Sequence, residues 1–264
     1  MDSKLKNEEL LAKICEFDWF KKFFDVKNTE ILGRGAFGVV ISSFKLENPS
    51  EKLALKIIFP QSDSTLSEYT KEVNFMTSLS NHANICEIKD ILMNSLEKSV
   101  VIIMKPARIS LKSLLEKEKS LKPDILLQML ADITNGLKYA HSKSIFHCDI
   151  KPANILVFDT KNRQSLKNIS EYKAIDVKTV FKLSDWGGGL FNTKSKTTYI
   201  SRGFSFTPGY VAPKISNQEE KLNMGLCDIY SLGMTLLNCC GHQYDDIKHI
   251  SNYGKKNRRN MILI

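Results

Sequence analysis

The side chains best suited to chemistry crowd into "HCDIKPANIL", residues 147–156. Asp149 can accept the proton of an attacking hydroxyl. Lys151 can neutralise charge on a phosphoryl group, and Asn154 can offer an oxygen to a divalent metal. Further along, "KLSDWGGGL" puts Asp185 after an apolar run and before glycines, where its carboxylate can reach a metal bridging two phosphates. Two oxygen donors together with phosphates suit Mg²⁺, which keeps its waters and needs no all-protein cage. The chemistry these residues could share is phosphoryl transfer.

Upstream, "GRGAFG" supplies Gly33, Gly35 and Gly38. The same spacing serves a dinucleotide-binding strand–helix unit. Because "VVISSF" follows and reads as a strand, a glycine turn between two strands fits better, its backbone N–H groups able to approach phosphate oxygens. A purely structural hairpin stays open on these residues alone. Lys56 sits in the apolar run "LALKIIF", where an unpaired ammonium is costly. Glu72, on the inward side of the next helix, can pair with it and aim it at an anion. A solvent-facing lysine accounts for the same residues equally well.

The elements that must position these groups fall into two kinds. From Glu30 to Met104 the pattern is of strands with one helix: "VVISSF", "LALKIIF" and "VVIIM" are strand-like, and "SEYTKEVNFMTSL" is helical with Val73, Met76 and Leu79 on one side. Beyond Pro106 helices dominate. "DILLQMLADITNGLKYAHS" places Leu126, Leu130, Ile133 and Leu137 on one stripe, with Pro123 and Asp124 suited to its start. "LCDIYSLGMTLLNCC" is apolar nearly all round, as a central helix would be. Residues 9–24 carry Leu10, Ile14, Phe17, Phe20 and Phe24 at near-helical intervals and should pack on the body, a membrane-surface helix being the alternative.

Taken in order from Gly33 to Gly233, these motifs resemble those of the eukaryotic protein kinases. The resemblance implies an α+β, bilobal fold: a small β-rich N-lobe with one main helix, over a larger, mostly helical C-lobe lacking its last helices, with ATP between them. The corresponding division is an N-terminal helical extension over 1–25, an N-lobe over 26–105, a C-lobe over 106–250 and a basic tail over 251–264. It further implies the Lys56–Glu72 pair, Asp149 as catalytic aspartate assisted by Lys151, and Asn154 and Asp185 as magnesium ligands. Leu32, Gly33, Gly35, Gly38, Val40, Ala54 and Leu156 would enclose the nucleotide, with Met104 as gatekeeper and Lys105 to Ala107 as the hinge that meets adenine. Thr207 in "TPGYVAP" would hydrogen-bond Asp149 and Lys151, and Asp228 would brace the catalytic loop. Lys151, two residues after the aspartate, resembles the serine/threonine branch, so a protein with a Ser/Thr acceptor is the implied substrate.

Four departures qualify this resemblance. Cys148 stands where the family has an arginine that meets an activation-loop phosphate, so control by one such phosphate is not expected, although Thr193, Ser195, Thr197, Thr198 and Ser201 remain modifiable. Trp186 replaces the usual phenylalanine and should pack between His147 and Met76. Residues 157–181 read as a solvated insertion between two strands. Lys214 replaces the glutamate of Ala-Pro-Glu, and the sequence stops at Ile264, before the family's last helices would fit. The apolar surface left uncovered there keeps two expectations open, folding alone or cover by a partner. A nucleotide-binding pseudokinase or scaffold is the alternative function.

Composition sets bounds. A hydrophobic content of 42% and a charged content of 25% are ordinary for a globular chain. No run is long and apolar enough for a membrane span and no signal core precedes the first element, so a cytoplasmic or nuclear protein with reduced thiols is expected. Cys239 and Cys240 with His242 and His249 lack separated Cys-x-x-Cys pairs and read as buried thiols rather than a zinc site. The net charge of +9 attracts anions in general. Its densest block, "KKNRR" at 255–259, reads as a solvated tail, and nucleic acid is not an expected partner.

Overall fold

The computed structural model describes residues 6–35, 38–59, 63–94, 99–159, 179–191, 207–213, 222–243 and 245–246. Lys214, the modifiable residues from Thr193 to Ser201, His249 and the basic block at 255–259 lie outside them. The chain divides into two compact units, one of residues 1–80 with 87–107, the other of residues 81–86 with 108–264.

The first unit is built on a five-stranded antiparallel sheet in the order β1-β2-β3-β5-β4, from β1 (Glu30–Gly35), β2 (Gly38–Lys45), β3 (Asn48–Ile58), β4 (Ile88–Asn94) and β5 (Ser99–Met104). Successive side chains of a strand face opposite ways, and this sheet buries both faces differently. One face presents Val39, Ile41, Leu53, Leu55, Ile57, Val101 and Ile103 to a cluster formed with Leu10, Ile14, Trp19, Phe20 and Phe24. These last residues come from α1 (Asn7–Glu16), α2 (Asp18–Phe23) and the residue that follows α2. The 9–24 run is therefore two helices broken at Phe17, whose backbone is extended. Its apolar side is spent on the sheet, which removes the membrane-surface alternative. Asp25 N–H donates to the Phe44 carbonyl at 2.9 Å, and Leu46 N–H to the Phe23 carbonyl at 3.0 Å, fastening the end of α2 to the β2–β3 hairpin.

The opposite face carries Val40, Ala54, Lys56 and Met104. Register fixes this: Val40 lies opposite Lys56, and Ala54 opposite Met104. The long helix α3 (Asp63–Leu79) supplies Glu72, buried with Phe75, Met76 and Leu79.

In the second unit the described helices are α4 (Leu111–Glu118), α5 (Pro123–Ser142) and α6 (Met224–Cys239). Two small sheets accompany them, β6 (Ile109–Ser110) with β8 (Ile155–Asp159) and β9 (Thr179–Leu183), and β7 (Ile145–Phe146) with β10 (Leu190–Phe191). Pro123 opens α5 at a position where its missing N–H costs nothing. The buried side of α5 is Ile125, Met129, Asp132, Ile133, Gly136, Leu137 and Ala140. This is a face turned by one residue from the expected stripe, since Leu126 and Leu130 are only half-buried. The cause is polar: Asp132 accepts the Phe181 N–H of β9 at 2.9 Å, and Gly136 lets the Asn84 carbonyl approach, a Cβ there meeting that oxygen at 3.0 Å. Asn84 and Cys86 join this unit because Leu183 N–H donates to the Asn84 carbonyl at 2.9 Å and Cys86 N–H to the Leu183 carbonyl at 2.8 Å.

Three further expectations change. The 157–181 segment is not solvated at its ends: Val157 and Phe181 are fully buried in β8 and β9, which pair in register, leaving residues 160–178 outside the described residues. The central helix α6 is not buried all round, for Leu226 and Ile229 are 66% and 49% exposed. Cys239 is buried but Cys240 is exposed.

Candidate active site

In the second unit, short strand pairs bring two loops to the chemistry. The loop 147–154 leaves β7 and enters β8, and the loop from Ser184 leaves β9 and enters β10. The first is held from within. Asp228 of α6, fully buried, accepts the Cys148 N–H on Oδ1 at 2.8 Å and the His147 N–H on Oδ2 at 2.9 Å, and Oδ2 also faces His141 Nε2 at 2.8 Å. Cys148 takes a left-handed backbone, φ 66°, and such strain in a non-glycine residue persists only where the surroundings enforce it. Asp228 enforces it here, without the family's arginine.

The two loops are tied together through His147 and Ser184. His147 Nδ1 faces the Asp149 N–H at 3.3 Å and its Nε2 faces the Ser184 carbonyl at 3.0 Å. The tautomer with the proton on Nε2 satisfies both. Ser184 in turn donates its N–H and its hydroxyl to the Asn154 carbonyl, each at 3.0 Å. Trp186 is fully buried against the His147 ring, centroids 4.6 Å apart, and its indole N–H finds no acceptor among the described residues.

Around Asp149 the hydrogen bonds close into a ring. Lys151 Nζ donates to Asp149 Oδ2 at 2.6 Å and to Thr207 Oγ1 at 2.7 Å, while Thr207 Oγ1 donates to Asp149 Oδ1 at 2.7 Å. Asn154 Nδ2 donates to the Asp149 carbonyl at 2.8 Å and to Oδ2 at 3.1 Å. With Nδ2 so engaged, the side-chain oxygen of Asn154, Oδ1, is the atom suited to a cation. Asp185, in a left-handed conformation at φ 63°, adds a carboxylate at the other loop. This hard-oxygen pair fits Mg²⁺. Among the described residues no three His, Cys, Asp or Glu side chains gather into a cage, and Mg²⁺ completes its shell with phosphates and waters.

In the first unit, Lys56 Nζ donates to Glu72 Oε1 at 2.5 Å, with the Glu72 side chain 1% exposed. A solvent-facing lysine is thereby excluded. In the β1–β2 hairpin Gly33 pairs with Val40 and Gly35 with Gly38, so a strand and not a helix follows the glycines and the dinucleotide-binding alternative falls away. Gly38 is required sterically, since a Cβ there would collide with the Ile57 carbonyl oxygen. Leu32 sits at the register shift of β1 and is half exposed. Leu156 is in the second unit, on β8.

Ser184, Asn84, Asp132 and His141 support this site without having been legible beforehand. Each works through a backbone group or a partner remote in the chain, and only the polarity of Asp132 within an apolar helical run hinted at a role.

A family model described as the protein kinase domain matches residues 26–263. The chain is 26% identical over 239 residues to calcium-dependent protein kinase 5 of Plasmodium berghei (strain Anka), covering 90% of this chain and 36% of that protein. It is 29% identical over 216 residues to mitogen-activated protein kinase kinase kinase 3 of Arabidopsis thaliana, covering 79% and 30%. To mitogen-activated protein kinase 5 of Arabidopsis thaliana it is 25% identical over 232 residues, covering 84% and 55%. The chain thus spans between 30% and 55% of the length of these relatives. A match over nearly the whole chain, to a fold whose strand-rich and helical units are those described above, makes this chain a member of the eukaryotic protein kinase family.

Proposed function

We propose that the chain is an ATP-dependent serine/threonine protein kinase, transferring the γ-phosphoryl group to a hydroxyl of a protein. The observation that carries this reading is the closed ring of Asp149, Lys151 and Thr207. It orients one carboxylate by hydrogen bonds on both oxygens and so fixes where an incoming hydroxyl must sit.

Asp149 receives the hydroxyl proton as the oxygen bonds to the γ-phosphorus and the bond to the β-phosphate oxygen breaks, leaving ADP and a phosphoester. Lys151 spreads positive charge to the phosphoryl oxygens while keeping Asp149 in place. Lys56, fixed by Glu72, holds phosphate oxygens of the nucleotide. Asn154 and Asp185 would hold magnesium, which when bound neutralises the phosphate charge developing in transfer. Val40, Ala54, Met104 and Leu32, with Gly33, Gly35 and Gly38, contact the nucleotide from the first unit in this reading. Lysine rather than arginine at 151, and relatives named as serine/threonine-type enzymes such as the TIO kinase of Arabidopsis thaliana, support Ser/Thr over Tyr acceptors.

The test is transfer of label from [γ-³²P]ATP with magnesium to a generic protein acceptor, followed by phosphoamino-acid analysis. Phosphoserine and phosphothreonine are expected. Nucleotide binding without transfer would overturn the enzymatic reading and leave a nucleotide-binding scaffold. Phosphotyrosine would overturn the acceptor assignment.

A further inference from the structure

Beside the Asp149 ring, and wholly within the second unit, a cavity of about 600 Å³ is lined by Lys151 and Thr207 at one end and by a face of α4 at the other. Lys112 and Glu116 of α4, and Lys119 just after it, belong to this lining. Lys112 lies in the first turn of α4, and Lys119 is the residue that ends the helix, its backbone at a positive φ of 65°.

Among the described residues the charge balance of this lining is positive. Lys151 is committed to Asp149 at 2.6 Å. Glu116 is the carboxylate on the α4 face, and it meets Lys112 only at 3.9 Å with both side chains more than 60% exposed, a surface pair worth little. Lys119 spends one N–H on the Glu116 carbonyl at 3.0 Å, a neutral partner. Two ammonium groups thus face one solvated carboxylate. Tyr210, also on the lining, is fixed by its hydroxyl's hydrogen bond to Asn238, which gives the cavity a rigid wall for a backbone to lie against.

We infer that this cavity receives the segment of the acceptor protein flanking the phosphorylated hydroxyl, and that Lys112 and Lys119 select acidic residues in it. The inference rests on the kinase reading above and deepens it. A segment seated here is continuous with Asp149, because Lys151 and Thr207 belong to both.

The experiment measures kcat/KM of the full chain on serine peptides that differ only in glutamate, alanine or lysine at the flanking positions. Glutamate peptides should exceed lysine peptides by about 3- to 10-fold, the scale of partly solvated charge pairs, and the gap should narrow at high salt. The Lys112→Glu/Lys119→Glu chain should invert the ratio, and the Lys112→Ala/Lys119→Ala chain should flatten it. Equal rates on all peptides, or a preference that survives both double substitutions, overturn the inference while leaving the kinase reading intact. Failure to phosphorylate any peptide or protein overturns both.

Discussion

Asp228 offers the sharpest test of how the site is held. Its carboxylate is fully buried and accepts two backbone N–H groups, from Cys148 at 2.8 Å and His147 at 2.9 Å, while facing His141 Nε2 at 2.8 Å. Replacement by alanine strands both N–H groups away from water. Each orphaned buried donor costs about 1–3 kcal/mol, so Asp228→Ala should cost roughly 2–6 kcal/mol. That is a large share of the roughly 5–15 kcal/mol that stabilises a typical domain. Converted at about 2–4 °C per kcal/mol for a chain of this size class, the melting temperature should fall by roughly 4–24 °C. Asp228→Asn keeps one acceptor oxygen and should fall between the alanine variant and the unaltered chain. Thermal melting followed by circular dichroism decides it. An alanine variant melting within about 2 °C of the unaltered chain would refute the assignment of these two hydrogen bonds as the brace of the loop.

Gly38→Ala should destabilise the first unit by about 1–3 kcal/mol, because the new methyl meets the Ile57 carbonyl oxygen; a chemical-denaturation midpoint equal to that of the unaltered chain would contradict the packing. The Asp25 carboxyl is held below the usual range, first by the Asn28 side-chain hydrogen bond and then by the Lys27 and Asn28 backbone N–H groups. Its stabilisation is therefore present above the ordinary carboxylate value of about 3.9 and lost as pH falls through the lowered one. Urea midpoints measured from pH 5 downward should show a shallower acid loss for Asp25→Asn. Burial pushes the Cys86 and Cys239 thiols up to about 12, whereas Cys240 is exposed. Iodoacetamide at pH 8 should label Cys240 in the folded chain and reach Cys86 and Cys239 only after unfolding, as peptide mass mapping would show.

What could be read in the sequence, and what could not, follows the range of the interactions. From the residues alone the Lys56–Glu72 pair stands level with a solvent-facing lysine, because nothing in the pattern fixes which way the strand lysine points; the family resemblance is what favours the pair, and the structure forms it. Asp149, Lys151 and Asn154 lie in one loop, so proximity alone suggested shared chemistry, while the contact of Thr207 with them came only from family resemblance. The face of α5 was misread by one residue because apolar pattern cannot foresee a buried aspartate whose partner, the Phe181 backbone, comes from a distant strand. The ends of the 157–181 segment were misread for the opposite reason. The polar stretch at its centre masked the short apolar alternation of β8 and β9, whose value lies in pairing with each other. Helix α6 carries Leu226 and Ile229 on its exposed side, and composition gives no direction to an apolar residue on a helix that is apolar all round.

The central claim is that the carboxylate of Asp149 governs phosphoryl transfer, and the rate of label transfer by the Asp149→Ala chain tests it most directly. With folding verified by an unchanged cooperative melt, that rate should fall by at least about 10²–10⁴-fold, the usual loss on removing a positioned acid–base group. A rate equal to that of the unaltered chain would contradict the account.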